Sequence, residues 1–314
     1  MTFLANISQH DRPVSESAMR LERLLSPETV VKLNEPMARR TTLRVGGPAD
    51  MYVEPGSEQD LVTVVQFCAT ERLPVFVLGR GSNLLVRDGG IRGVVICLAH
   101  PSFRRIDVSG SYLECGAGAK LKDVAVTAKQ HSISGLEFLE GIPGSVGGAL
   151  RMNAGAMGGS VFQCVESVRI LDFTGIFSTR TAAEMQPEYR CCPALRDVMA
   201  VSAVLHGRPG EHEEIQTRMT EYSRKRWATQ PAAPSAGCIF KNPAGIAAGK
   251  LVDELGLKGT RVGGAVVSAE HGNFIVNEGK ATARDVLDLI ELIRTVALRE
   301  RGIRLETEVE IVGQ

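Results

Sequence analysis

The 314-residue sequence has no excess of charge, because 36 basic residues balance 36 acidic ones. Proteins that bind nucleic acid usually carry a basic surplus or a basic face. A short basic cluster, Arg224, Lys225 and Arg226, fits a solvated helix face as well as a phosphate site. The sequence therefore predicts no nucleic-acid partner.

Long apolar runs and cysteine pairs are also missing. No run of about 18 apolar residues occurs, so we expect no membrane span. The first ten residues lack the basic and apolar regions of a signal peptide. The seven cysteines are odd in number and include no CxxC pair, which argues against a disulfide framework or a zinc site. These absences predict a cytoplasmic protein without a metal, and its length predicts two or three packed domains.

Hydrophobic spacing predicts a chain that mixes helices and strands. Apolar residues recur at helical spacing over residues 58–71, between strand-like runs at 50–53 and 73–78. Further helices are predicted over residues 122–130, 214–228 and 282–301, and further strands over 94–98, 165–173 and 198–205. Thr282 with Asp285 resembles a capping box, and Gly302 suits a C-terminal cap. Residues 303–312 alternate between apolar and polar in the manner of a strand.

Two glycine-rich segments are candidates for ligand binding. Residues 79–83 follow a strand-like run, and their two glycines let backbone N–H groups point inward around a pyrophosphate. Leu84 replaces the third glycine of a GxGxxG motif, which argues against a Rossmann site and leaves a plain tight turn as the alternative. Residues 141–149 and 153–156 include so many small side chains that they cannot fill a hydrophobic core by themselves. They suit a flat ligand lying against the main chain, or a close crossing of strands.

Three polar segments carry reactive side chains. Arg190 follows Tyr189 at a strand start, a pair that is also common on surfaces. Cys238 lies in a loop bounded by prolines, with Lys241 and Asn242 nearby to grip a phosphate; a buried cysteine in a turn fits as well. Glu308 lies on the polar side of the tail, where a solvated edge charge is the simpler interpretation.

Taken together and in this order, these segments resemble the UDP-N-acetylenolpyruvoylglucosamine reductase (MurB) family over residues 41–313. Residues 42–49 resemble the opening segment of that family. The chain between Arg190 and Trp227 leaves no room for the substrate-covering insert of the longer family type, so it resembles the shorter type II branch. The resemblance implies an α+β fold: two FAD-binding subdomains of the vanillyl-alcohol-oxidase (PCMH) type, with a third α+β substrate domain.

The resemblance also implies a domain order and a reaction. Residues 1–35 would be a variable leader, 36–101 and 102–207 the FAD-binding subdomains, 208–302 the substrate-binding domain, and 303–314 a C-terminal strand returning to the active site. The implied reaction is the NADPH-dependent reduction of UDP-N-acetylglucosamine enolpyruvate to UDP-N-acetylmuramate through non-covalent FAD, in peptidoglycan precursor synthesis. The implied partners are this UDP-sugar and NADPH, and a monomer is expected.

Site residues carry over from the resemblance in three groups. The cofactor-binding group is Gly79, Arg80, Gly81, Ser82, Asn83, Leu84, Gly141, Pro143, Gly144, Ser145, Gly148, Ala149 and Asn153. The substrate-binding group is Tyr189, Arg224, Lys241, Asn242 and His271, although His271 also fits a loop histidine with satisfied hydrogen bonds. The catalytic group is Arg190, Cys238 and Glu308. A guanidinium is always charged and binds carboxylates bidentately, so Arg190 would stabilise the enolate, with Glu308 as its partner.

Cys238 departs from the family pattern, since most relatives carry serine in that loop. A thiol has an ordinary pKa of about 8.5, far below that of an alcohol, so a proton-donating Cys238 is chemically sensible. Two rival functions are an oxidase of sugars or hydroxy acids on the same fold, and a non-enzymatic nucleotide-sugar-binding protein. The glycine loops show no histidine for covalent flavin attachment, and the arginine, cysteine and glutamate set favours the reductase.

Overall fold

A computed structural model describes residues 13–314 of the chain. The prediction for the first ten residues lies outside this range. The described helices are α1 (Val14–Glu22), α2 (Glu58–Glu71), α3 (Leu121–Gln130), α4 (Val146–Met152), α5 (Ala182–Met185), α6 (His212–Thr229), α7 (Ala248–Glu254) and α8 (Ala283–Arg301). Within residues 13–314, every helix is too short or too polar to cross a bilayer.

The strands are short and fall into several sheets. In chain order they are β1 (Val30–Pro36), β2 (Pro48–Glu54), β3 (Val75–Leu78), β4 (Leu84–Val86), β5 (Ile91–Cys97), β6 (Ile106–Ser109), β7 (Tyr112–Gly116), β8 (Ile133–Ser134), β9 (Gly155–Ala156), β10 (Gly159–Ser160), β11 (Val165–Asp172), β12 (Phe177–Thr181), β13 (Val198–His206), β14 (Arg208–Pro209), β15 (Ser235–Cys238), β16 (Arg261–Val262), β17 (Ala265–Val267), β18 (Phe274–Asn277) and β19 (Glu310–Val312). This mixture of helices and largely antiparallel strands is the α+β class that the sequence predicts.

The chain divides into two compact units that interleave along the sequence. Unit 1 takes residues up to 34, residues 50–79 and residues 93–224, and unit 2 takes residues 35–49, 80–92 and 225–314. The predicted five-part division of the chain stays a prediction.

Unit 1 contains two larger sheets, each with its own hydrophobic core. One sheet has the order β1-β2-β5-β3, and its core includes Leu61, Val64 and Val65 of α2. The other has the order β12-β11-β13-β7-β6, and its core includes Val124 of α3 and Leu150 of α4. Unit 1 therefore places α3 and α4, with the glycine-rich segment before α4, on a five-stranded antiparallel sheet.

Unit 2 is built on the antiparallel sheet β15-β18-β17-β16. Helix α8 buries Val286, Leu289, Ile290 and Ile293 in the core of this unit. The tail strand β19 pairs in parallel with β4, with Glu310 opposite Leu84. Unit 2 thus brings the chain end beside the residues that follow the first glycine loop.

Local signals predicted the long helices well. Helix α2 has the predicted bounds, and Ser57 Oγ caps it by accepting from the Asp60 N–H. The capping box of Thr282 and Asp285 and the left-handed cap at Gly302 are confirmed on α8.

Two strand predictions need correction. The tail does not form one strand over residues 303–312, since β19 begins only at Glu310. The reason is a change of partner: the Glu308 N–H donates to Ile239, whereas the Glu310 N–H donates to Asn83. No strand was predicted over residues 30–36, where β1 lies, because the largely exposed residues of β1 carry no regular alternation of apolar and polar side chains.

Candidate active site

The two glycine-rich segments contact each other inside unit 1. A β-carbon added to Gly79 would lie 3.0 Å from Ser145 Oγ and 3.6 Å from the Cα of Gly148. Beside Gly141, an added β-carbon would meet no described atom within 4 Å. A close approach of main chains next to open space suits a flat ligand held against backbone, which is the interpretation that the sequence favours.

Ser145 fixes the second glycine loop at the start of α4. Its buried side chain accepts a hydrogen bond from the Gly148 N–H at 3.4 Å. The main chain on either side is held too, since the Leu121 N–H donates to Gly144 and the Val146 N–H donates to Ala119. The loop is therefore pre-shaped by the protein, with Ala149 buried behind it and Pro143 on the exposed side.

The first glycine loop continues from Gly79 into unit 2, where Gly81 adopts a left-handed φ of +63°. The carbonyl oxygen of Gly81 accepts from the N–H of Thr42 at 3.1 Å. Thr42 Oγ1 also donates to the carbonyl oxygen of Ser235 at 2.6 Å. A side chain at position 81 would collide with the carbonyl oxygen of Arg40 at 2.4 Å. The loop thus requires glycine at position 81, and Thr42 holds the loop in place through hydrogen bonds.

Asn83 joins the same loop to the chain end. Its Nδ2 donates to the carbonyl oxygen of Glu308 at 3.1 Å, and its own carbonyl oxygen accepts from the Glu310 N–H at 3.1 Å. Ser82 contacts the cysteine-bearing loop, since a β-carbon on Gly237 would lie 3.7 Å from its carbonyl oxygen. Unit 2 therefore brings together the predicted pyrophosphate loop, the Cys238 loop and Glu308.

Cys238 and Glu308 lie on two neighbouring segments, residues 238–241 and 306–309, which we call the cysteine ladder. The Glu308 N–H donates to Ile239 at 2.8 Å, and the Lys241 N–H donates to Glu306 at 2.9 Å. Both Cys238 and Glu308 are half-buried. The ladder sets their positions through main-chain bonds and through the buried side chain of Ile239.

Arg190 lies in unit 1, at the tip of a tight turn over residues 188–191 that we call the arginine turn. Glu188 and Cys191 close the turn by exchanging backbone bonds of 2.8 and 3.3 Å. Arg190 has a φ of +56°, a left-handed conformation that is uncommon for a residue with a side chain. Such strained residues persist only where the surroundings fix them, and they concentrate at functional sites.

The Arg190 side chain is held between two neighbours in unit 1. Its guanidinium carbon lies 5.1 Å from the centre of the Tyr189 ring, which is largely exposed. A β-carbon added to Gly155 would lie 3.0 Å from Arg190 Nη1. The permanent charge therefore rests against bare main chain on one side and an aromatic face on the other.

The predicted substrate-binding residues differ in how much of each side chain is engaged. Lys241 Nζ forms an exposed ion pair with Glu306 at 3.4 Å. Asn242 Oδ1 accepts from the Ala248 N–H at 3.0 Å, so its acceptor oxygen holds the start of α7. Arg224 is exposed on α6, which keeps both the solvated-face and the phosphate interpretations open.

His271 takes part in the loop structure of unit 2. Its Nδ1 accepts from the Asn273 N–H at 3.1 Å, and its ring packs edge-on against Phe274 at 4.8 Å. Burial lowers the pKa of His271 from its usual value, so the ring is neutral at neutral pH. These contacts favour the alternative of a loop histidine with satisfied bonds, and they leave Nε2 for any ligand.

Two residues of these sites were missed by the motif analysis. Thr42 lies in the segment of residues 42–49, which attracted notice only through the resemblance. Gly155 was grouped with the other small residues, although its place behind Arg190 depends on the arginine turn. Both contacts join residues more than 30 positions apart, and no local pattern records them.

Comparisons with known proteins were made for the whole chain. A family model described as the C-terminal domain of UDP-N-acetylenolpyruvoylglucosamine reductase matches residues 230–312, and one described as an FAD binding domain matches residues 49–179. The UDP-N-acetylenolpyruvoylglucosamine reductase of Syntrophomonas wolfei is 41% identical over 92% of this chain and 97% of its own length. The enzyme of that name from Caldanaerobacter subterraneus is 43% identical over 90% and 93%.

A solved structure agrees with these sequence matches. The crystal structure of the UDP-N-acetylenolpyruvylglucosamine reductase (MurB) of Thermus caldophilus superposes with a TM-score of 0.80 at 39% identity. The match covers 91% of this chain and 99% of that one.

Proposed function

Because the chain belongs to the UDP-N-acetylenolpyruvoylglucosamine reductase family, we propose that it reduces UDP-N-acetylglucosamine enolpyruvate to UDP-N-acetylmuramate with NADPH and FAD. The observation that carries the proposal is the junction in unit 2. There Asn83, in the first glycine loop, donates to the carbonyl oxygen of Glu308, which belongs to the cysteine ladder. Main-chain N–H groups for a pyrophosphate and two candidate proton-transfer side chains thus share one hydrogen-bonded framework.

The residues of the glycine loops fit a bound flavin nucleotide. Glycines at positions 79 and 81 allow the main chain to approach a ligand, and Ser145 and Gly148 form the neighbouring wall in unit 1. The proposed lining is Gly79, Arg80, Gly81, Ser82, Asn83, Leu84, Gly141, Pro143, Gly144, Ser145, Gly148 and Ala149. When bound, FAD supplies hydride transfer between NADPH and the enol ether.

Arg190 has the role of holding negative charge on the substrate. Reduction of an enolpyruvyl ether builds charge on the carbon beside the carboxylate and on the carboxylate itself. A guanidinium in a rigid turn stabilises that charge without having to reorganise. Glu308 is its proposed partner, and we propose that Arg190, Cys238 and Glu308 act at one substrate.

Cys238 is the proposed proton donor to the charged carbon. Its thiol gives up a proton more readily than the serine hydroxyl of most relatives, because the ordinary pKa of a thiol is about 8.5. The cysteine ladder holds its backbone, so the donor does not depend on a flexible loop. The outcome is a carbon–hydrogen bond at each end of the former double bond.

Binding of the UDP-sugar is assigned to the five predicted substrate-binding residues. Lys241 is suited to the pyrophosphate as a point charge and Arg224 as a bidentate donor, and Tyr189 offers an exposed ring. Asn242 retains only its amide N–H₂ group for this purpose, and His271 retains only Nε2. We also propose the predicted domain boundaries, a monomeric state, a cytoplasmic location and no nucleic-acid partner.

Anaerobic stopped-flow spectroscopy tests the proposal in two mixing steps. NADPH should bleach the yellow flavin of the purified enzyme, and the enolpyruvyl UDP-sugar should then restore the colour in one turnover. An oxidase would ignore NADPH, and a binding protein without redox function would take up no FAD. Reoxidation by oxygen alone, with none by the UDP-sugar, would refute the assigned acceptor.

A further inference from the structure

The carbonyl oxygen of Glu188, which opens the arginine turn, accepts hydrogen bonds from two donors. The N–H of Cys191 closes the turn at 3.3 Å, and Asn153 Nδ2 donates from outside it at 2.9 Å. The other end of the Asn153 amide is engaged too, because Oδ1 accepts from the Phe162 N–H at 3.4 Å. The amide therefore joins the turn to the chain beyond α4 in a defined orientation.

Asn153 caps the end of α4 in a left-handed conformation, with a φ of 40°. A second bond ties this helix end to the far side of the turn, where the Cys192 N–H donates to Arg151 at 3.0 Å. Ser145, at the other end of α4, lies in the contact with Gly79. Seven helical residues span about 10 Å at about 1.5 Å each, so α4 is a short rod between the contact of Gly79 with Ser145 and the arginine turn.

We infer that Asn153 is a positioning residue that sets the Arg190 guanidinium relative to the second glycine loop, within unit 1. The inference rests on the proposed function, because it assumes that Arg190 acts on the substrate carboxylate. It differs from the expectation that Asn153 belongs to the flavin-binding set, since both ends of its amide are used within the protein. A left-handed Arg190 needs such a restraint, because an untethered turn would relax toward a commoner backbone conformation.

Asn153→Asp is the sharpest variant, because it keeps the shape and the acceptor oxygen but removes the donor. It would also set a carboxylate against the carbonyl oxygen of Glu188. We expect flavin reoxidation by the enolpyruvyl substrate to slow about 10- to 100-fold, since a displacement of about 1 Å can have that effect. Flavin content and flavin reduction by NADPH should stay within about twofold of wild type, because the cofactor site is untouched.

Gln186→Glu is the matched control. Gln186 is exposed, has a left-handed φ of 45° and lies two residues before the arginine turn. It makes the same amide-to-carboxylate change without touching the turn. If Gln186→Glu slows reoxidation as much as Asn153→Asp does, added negative charge explains the effect and the positioning role is wrong.

A double variant at Asn153 and Arg190 distinguishes a positioning role of Asn153 from general damage to the protein. In an Arg190→Ala background, Asn153→Asp should slow reoxidation by less than about twofold more, because it acts only through the missing guanidinium. If the two substitutions slow reoxidation independently, so that their effects multiply in the double variant, the inference is wrong. It is also wrong if Asn153→Asp loses FAD, or if its reduction by NADPH slows as much as its reoxidation. Should Asn153→Asp fold poorly, Asn153→Gly keeps the left-handed backbone, removes the donor and carries the same test. A wild-type enzyme that the UDP-sugar fails to reoxidise would instead refute the proposed function.

Discussion

The arginine turn of unit 1 and the cysteine ladder of unit 2 fix their reactive side chains by different means. Arg190 sits on a strained left-handed backbone. The Asn153 side chain holds the carbonyl group of Glu188, at the start of the same turn. Cys238 and Glu308 sit on extended segments that bond to each other through main-chain groups. The arginine turn therefore depends on a side-chain bond to a strained backbone, whereas the two segments of the ladder bond directly to each other, and the side chains of Asn83 and Asn273 add to those bonds.

This difference follows from what each group must do. A guanidinium that stabilises developing charge has to be aimed, since electrostatic stabilisation depends on a preorganised direction. A proton donor needs mainly to be within hydrogen-bond reach of the receiving atom. A strained turn with a side-chain tether serves the first need, and a ladder in which two segments bond directly to each other serves the second.

Substitution of Arg190 should give the largest effect. Removing a preorganised charge-stabilising donor reduces the rate by about 10²- to 10³-fold, and we expect Arg190→Ala to slow flavin reoxidation by the UDP-sugar about 10³-fold. Flavin reduction by NADPH should change little. Stopped-flow measurement of the two steps checks this, with the exposed Arg208→Ala of β14 as a control that should behave as wild type.

Arg190→Gly sharpens the same experiment by removing the backbone strain. It should be as inactive as Arg190→Ala, yet more stable than it by about 1 kcal/mol, because glycine adopts the left-handed conformation freely. Urea unfolding measures that difference. Equal stability of the two variants would show that the turn stores no strain, and the contrast with the ladder would lose its basis.

Substitution of Cys238 should give a smaller effect that depends on chemistry rather than on fold. Loss of a general acid slows a reaction by about 10²-fold or more, so Cys238→Ala should reoxidise its flavin about 10²-fold more slowly. Cys238→Ser should keep substantial activity. Because main-chain bonds hold the ladder, the unfolding midpoint should shift little in either variant. If Cys238→Ala reoxidises as fast as wild type, another group donates the proton.

The same contrast separates what the sequence predicts well from what it does not. The bounds of α2 and the caps of α8 depend on neighbours within four residues, and they agree with the apolar spacing and the capping residues. The parallel pairing of β19 with β4 joins residues more than 200 positions apart, so alternation alone predicted a longer strand. Patterns within one segment cannot show where a segment changes its partner.

The candidate site follows the same division. The glycine loops were recognisable because glycine composition is local, but their contact at Gly79 and Ser145 needs the fold. The left-handed backbone of Arg190 lies in a turn that is bonded to Asn153, 37 positions earlier, and arginine itself gives no hint of it. Residue types that carry chemistry can thus be read from the sequence, whereas the residues that aim them cannot.

Side-chain tethering recurs in unit 1 at Asp60, where acid can break it. Its buried carboxylate accepts from the N–H of Ser26 at 2.9 Å and from the hydroxyls of Ser26 and Ser57 at 2.7 and 2.8 Å. Burial alone raises the pKa of Asp60, but the hydrogen bonds from Ser26, Ser57 and Thr29 outweigh it and lower the net pKa below the usual value. The carboxylate thus links the chain after α1 to the start of α2.

A lowered pKa in the folded state stabilises the protein above the unfolded value, which for aspartate is about 3.9, and this stability is lost as pH falls through the folded value. Asp60→Asn should therefore lower the free energy of unfolding by about 1–2 kcal/mol at pH 7. The difference in the free energy of unfolding between Asp60→Asn and wild type should narrow steadily below about pH 4. Urea unfolding across this range measures it, with Asp107→Asn as the control, since Asp107 is exposed and its ion pair with Arg105 is solvated. A difference that stays constant down to low pH would mean that hydrogen-bonding shape, not charge, holds this junction, and acid would then not distinguish this side-chain tether from bonds between main-chain groups.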